Sequence, residues 1–108
     1  MQKMSRVFVA VGMLVVSSVG VVFGANQVIG QKGRLFRPGA ITVKAGDTLT
    51  FQNDDAVTHH VYSSTQGQEF KLETVGPGKE ASHTFSKKGR VDVRCGLHPG
   101  MRLVVTVE

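Results

Sequence analysis

From residue 40 onward, apolar and polar residues alternate with a period of two, and this pattern limits the possible folds more than any other feature. In "ITVKAGDTLTFQN", Ile41 and Val43 alternate with polar neighbours. The chain turns at Ala45-Gly46-Asp47, and Leu49 and Phe51 then alternate against Thr48, Thr50 and Gln52. Such spacing puts one row of side chains on each face of a strand, so the segment reads as two half-buried strands. The same alternation recurs in "HHVYSS", "ASHTFS", "RVDVRC" and "LVVTVE", with Gly, Pro, Asn and Asp between them as punctuation. No stretch carries the longer period of an extended amphipathic helix, although "GQEFKLE" has room for one helical turn. The pattern predicts an all-β protein, a small antiparallel β-sandwich. The chain has 108 residues and one Cys, so no internal disulfide can hold it together; sheet packing, a ligand or a partner must.

The N-terminus reads as an address. Lys3 and Arg6 precede the apolar run "VFVAVGMLVVSSVGVVFGA", which ends in small residues, the layout of a secretory signal. Residues 1–24 are therefore expected to be a signal peptide and 25–108 the mature domain. The rival is an uncleaved anchor, since Val7 to Ala25 covers 19 residues, close to the length that spans a bilayer. Ser17, Ser18 and Gly20 interrupt the run and favour cleavage, and hence an exported, periplasmic protein with no stable membrane insertion.

Without that segment the formal charge is +3. Lys87, Lys88, Arg90, Arg94 and Arg102 gather toward the C-terminus, but no aromatic residues are interleaved among them. They read as a solvated face or a docking patch and not as a nucleic-acid surface.

The chemistry concentrates in "CGLHPGM", residues 95–101. Alternation in "RVDVRC" places Cys95 on the same face as Val91 and Val93, at the end of a core-facing row. His98 and Met101 follow at three-residue intervals around Pro99 and Gly100, so three soft or borderline donors can converge. An exported protein that keeps a free thiol also risks oxidation unless something occupies it. Thiolate, imidazole and thioether together form a donor set suited to copper, whose electron-transfer sites take two His and one Cys with a weak axial Met. A second His is then needed. His59 and His60 are adjacent in "NDDAVTHHVYSS", and a strand sends neighbours to opposite faces, so one of the pair can face a metal; periodicity alone does not choose. His83 is a third candidate and reads as a half-exposed strand histidine. Asp54 and Asp55 read as turn residues, and no catalytic triad, phosphate loop or acid pair is visible, so no enzymatic activity is expected.

From about Asn26 to Glu108 the sequence resembles the cupredoxins, the type 1 blue copper proteins of the plastocyanin and amicyanin kind, including plastocyanin-like proteins of methylamine utilisation. "FRPGAITVKAGDTLTFQND" is similar to the family's opening hairpin, "NDDAVTHHV" to its N-x5-H-N-V segment, and "FSKKGRVDVRCGLHPGMRLVVTVE" to its last two strands and ligand loop. The C-x2-H-P-x-M spacing matches the short loop of amicyanin. The resemblance implies a Greek-key β-sandwich holding one type 1 copper ion through His59, Cys95, His98 and Met101. It also marks departures: His60 stands where the family usually has Asn, Arg94 where an aromatic residue or His commonly precedes the cysteine, and Gly100 where amicyanin is bulkier.

The implied function is one-electron transfer by Cu(I)/Cu(II) cycling between a donor and an acceptor protein. Both would be met transiently by a monomer, with the edge of His98 as gateway. The alternative with the same ligands is an exported copper carrier or scavenger. Mild positive charge points to acidic partner surfaces.

Overall fold

The computed structural model describes residues 25–108, so the expected N-terminal signal or anchor lies outside the described residues. The described residues form nine strands: β1 (Asn26–Lys32), β2 (Leu35–Arg37), β3 (Ala40–Val43), β4 (Asp47–Asn53), β5 (Val61–Ser63), β6 (Phe70–Lys71), β7 (Glu80–Phe85), β8 (Gly89–Cys95) and β9 (His98–Val107). They build two facing sheets, one of five strands in the order β3-β9-β8-β5-β6 and one of four in the order β2-β1-β4-β7. Ile29, Leu49, Phe51, Val61, Phe85, Val91, Val93, Leu103 and Val105 fill the space between them. These are the inward members of the alternating rows, and removing their apolar surface from water is what holds a sandwich without a disulfide together.

Two features differ from the sequence-based expectation. The sheets are mixed, because β4 runs parallel to β1 and β9 runs parallel to β3. The segment read as an opening hairpin is the reason. Ala45-Gly46-Asp47 does not fold β4 back beside β3 but carries the chain across the core into the other sheet. Asp47 holds this crossing: its carboxylate accepts from Lys44 N at 2.9 Å and Ala25 N at 3.2 Å, while its own N–H donates to Lys44 O at 2.9 Å. Gly46, at φ 100°, supplies the backbone conformation that the turn needs. Alternation is the same for a strand that pairs with its neighbour and for one that faces it across a core, so pattern alone could not separate the two.

The helical turn expected near "GQEFKLE" is absent. Gly67 turns the chain at φ 80°, Gln68 is tied to Lys87 O at 2.6 Å, and Phe70–Lys71 pairs with β5 as an edge strand. Phe70 explains the choice. Its ring stacks on His83 at 3.8 Å and meets Phe85 edge-on at 5.8 Å, contacts across the open side of the sandwich that an extended strand delivers. His83 is accordingly half-buried in β7, and burial holds its pKa below the ordinary 6.5.

Candidate metal centre

Three loops meet at one end of the sandwich. The first is the β1–β2 hairpin, where Gly33 at φ 63° and Arg34 at φ 56° form a two-residue turn with both central residues left-handed. A non-glycine residue there is strained, and Asp55 from the second loop holds it. Its carboxylate accepts from Gly33 N at 2.6 Å and from Arg34 N at 3.0 Å. That second loop, between β4 and β5, is shaped by Asn53. The buried amide of Asn53 donates to Val57 O at 2.7 Å and Val75 O at 2.8 Å, and its oxygen accepts from Asp55 N at 2.8 Å. His59 then bridges to Val75 through backbone bonds of 3.0 and 2.8 Å. Its ring is fully buried.

The third loop joins β8 to β9. Cys95 pairs with Val61 on one side and with His98 on the other, so the turn at Gly96-Leu97 returns the chain directly past the thiol. The Sγ is buried and free of any disulfide. His60 N–H donates to it at 3.3 Å, which holds the sulfur in place. His60 continues the outward row of β5 with its ring over Gly96, where an added Cβ would come within 2.9 Å of Nδ1. Of the two adjacent histidines, then, the fold turns His59 toward Cys95 and His60 away.

The Nδ1 atoms of His59 and His98 lie 3.2 Å apart, and the Cys95 Sγ lies 3.7 Å from the first and 3.5 Å from the second. A point equidistant from the three is about 2.0 Å from each, close to a metal–imidazole bond and a little short of the ~2.3 Å of a metal–thiolate bond. The site therefore fits a trigonal metal after a shift of a few tenths of an ångström. Met101, fully buried, belongs to the same core cluster as Cys95 and lines, with Arg34, Leu97, His98, Pro99 and Gly100, a depression of about 260 Å³ beside the triad. His83 lies elsewhere, on β7.

Asp55 does more than turn the chain. Its carboxylate accepts a hydrogen bond from His59 Nε2 at 2.8 Å, which fixes the tautomer and leaves the Nδ1 lone pair facing Cys95 and His98. Burial pushes the Asp55 carboxyl up, but the amides of Arg34 and Gly33 and the His59 ring outweigh it and hold it below 3.8. Desolvation, followed by the charges of His59 and Arg34, lowers the His98 pKa against an opposing pull from Asp55, so the neutral, donor-ready imidazole is favoured near pH 7. Sequence reasoning treated Asp55 as a turn residue. A carboxylate four residues before a candidate ligand histidine was the available signal.

Comparison with known proteins agrees with this geometry. The profile of the copper binding proteins of the plastocyanin/azurin family matches residues 24–108. The chain belongs to that family. Among curated relatives it is 35% identical over 78 residues to amicyanin-alpha of Methylorubrum extorquens, covering 68% of this chain and 64% of the relative. It is 33% identical over 67 residues to the methylamine utilization protein MauL of the same organism, covering 61% and 58%. With plastocyanin A'/A'' of Nicotiana tabacum it shares 32% identity over 91 residues, covering 70% and 90%. The chain thus spans less than two thirds of the length of amicyanin-alpha and of MauL. The solved structure of a reduced amicyanin mutant superimposes with a TM-score of 0.71 at 32% identity, covering 82% of this chain and 86% of that one. The cupredoxin fold and its copper cofactor follow, and thiolate with two imidazoles is a donor set suited to copper.

Proposed function

We propose that this cupredoxin is an exported one-electron carrier, not an enzyme, and that His59, Cys95, His98 and Met101 hold its copper. The observation that carries this reading is the convergence of one thiol sulfur and two imidazole Nδ1 atoms, all within 4.8 Å of one another and drawn from loops far apart in sequence. Bound copper supplies one-electron exchange between its cuprous and cupric states. The protein's own residues supply rigidity. Asp55 fixes the His59 ring, the His60 amide fixes the sulfur, β8 and β9 fix the spacing from Cys95 to His98, and Met101 is locked in the core. Donors held this way need little movement when the charge changes. His98, at the start of β9 beside the exposed Leu97, is the natural contact with a donor or acceptor protein, met in a brief encounter by a monomer. The copper-carrier alternative uses the same donors but must release the ion.

The test is an absorption spectrum of the purified protein after adding cupric ion, followed by cycles of reduction and oxidation in the presence of a chelator. An intense thiolate-to-copper charge-transfer band, abolished in Cys95→Ser, with copper retained through repeated cycles, is the expected result. Loss of copper to the chelator at each reduction would favour the carrier that delivers copper. No band at all would remove both readings.

A further inference from the structure

The outward face of the five-stranded sheet carries an arrangement that metal binding does not use. Tyr62 on β5 pairs with Lys71 on β6 and with Arg94 on β8, and Arg94 pairs with Arg102 on β9. These four residues form one line across four strands. Each points away from the core: the strand neighbours of Tyr62, Arg94 and Arg102 (Val61, Ser63, Val93, Cys95, Met101 and Leu103) are buried, and those of Lys71 (Phe70 and Leu72) pack against the core. With strands about 4.8 Å apart, the line runs about 14 Å. Three cations thus flank one half-buried tyrosine, and the ring of His60 lies 6.2 Å from that of Tyr62.

This row is costly for a sheet. Arg94 and Arg102 are directly opposed, and like charges in that position destabilise a strand pair. Asp92 offsets part of this by pairing with Arg102 at 3.1 Å, but among the described residues Arg94 and Lys71 have no ion pair. The row also adjoins the metal centre on two strands. Arg94 immediately precedes Cys95, and the His60 amide that holds the sulfur lies two residues before Tyr62.

We propose that the Lys71–Tyr62–Arg94–Arg102 row is a docking surface for an acidic face of a redox partner protein, separate from the apolar rim around His98. The cations attract and orient the partner, and Tyr62 gives the centre of the contact an aromatic anchor with a polar tip. An excess of positive charge on one sheet face selects for carboxylates and against basic surfaces. The identity of the partner as a redox protein rests on the proposed electron-carrier function; the acidity of its surface rests on the row alone.

The experiment is an amide-resolved NMR titration of the metal-free and the cuprous protein with a deca-glutamate peptide at low ionic strength. The largest shifts are expected at Tyr62, Lys71, Arg94 and Arg102 in both forms, fading as salt is added. Arg94→Glu should weaken binding about tenfold or more, and Lys71→Glu, on an exposed edge strand, provides the same test without altering a neighbour of Cys95. Arg34→Glu, at the His98 rim, should leave binding nearly unchanged. Shifts centred on residues 97–100, or equal weakening by Arg34→Glu and Lys71→Glu, would overturn the proposal. Because the metal-free form is titrated too, the surface can fail while the copper assignment stands, and the reverse.

Discussion

Replacing Asp55 by Ala should loosen the fold and the metal centre together, and the structure sets the size of the effect. The carboxylate accepts three hydrogen bonds, from His59 Nε2, Gly33 N and Arg34 N. The two amides belong to an exposed turn, where water can replace the lost acceptor, so each costs at most about 1 kcal/mol. His59 is different. Its ring is 0% exposed, and removing the acceptor leaves a buried N–H with no partner, a penalty of about 1–3 kcal/mol. The metal-free protein should therefore lose about 2–4 kcal/mol in urea unfolding at pH 7. With the His59 tautomer no longer fixed, copper affinity measured by chelator competition should fall about 10- to 100-fold. The sign with pH follows from the lowered Asp55 pKa. The ionised carboxylate stabilises the native state above its ordinary 3.8, and that contribution disappears as pH falls from there through the lower folded value, so the gap between native and variant protein must shrink below about pH 4. Asp55→Asn keeps one acceptor oxygen and should recover part of both losses. If Asp55→Ala left stability and copper affinity unchanged, the bracing role assigned to this carboxylate would be wrong.

Other substitutions probe the packing. Gln31 is fully buried and among the described residues neither of its amide atoms has a hydrogen-bond partner, so Gln31→Leu should raise the stability of the metal-free protein by about 1–3 kcal/mol; an equal loss would mean that the amide holds a partner. Gly96 has φ outside the left-handed region and is needed for space, so Gly96→Ala should cost about 1–3 kcal/mol by displacing the His60 ring. In a double-mutant cycle His60→Ala should relieve much of that cost, whereas simple additivity would refute the contact. The His83 pKa is lowered by burial against Phe70, so stability should decline as pH drops from 6.5 through its folded value. Comparing urea midpoints of the native protein with His83→Phe from pH 7 to pH 5 isolates this term, and parallel curves would contradict it.

Much of the site was legible because its chemistry is local in sequence. Cys95, His98 and Met101 lie within seven residues, and the alternation of "RVDVRC" correctly placed Cys95 with Val91 and Val93 on the buried face. Asp55 was passed over, since two adjacent carboxylates in a loop look the same whether they face water or a histidine, and only its place four residues before His59 set it apart. The parallel pairings were hidden for a related reason. A turn such as Ala45-Gly46-Asp47 looks alike when it closes a hairpin and when it bridges two sheets.

By itself the sequence determined that the chain makes strands, which residues share each strand's faces, and that a thiol, an imidazole and a thioether lie within seven residues of one another. Those properties depend on covalent spacing and a period of two. The tertiary structure decided which of two adjacent histidines joins those donors, that Asp55 orients it, and that Lys71, Tyr62, Arg94 and Arg102 form one line. Alternation fixes the relative facing of neighbours but not the partner strand or the register, and those are settled only when two sheets bury their apolar rows against each other.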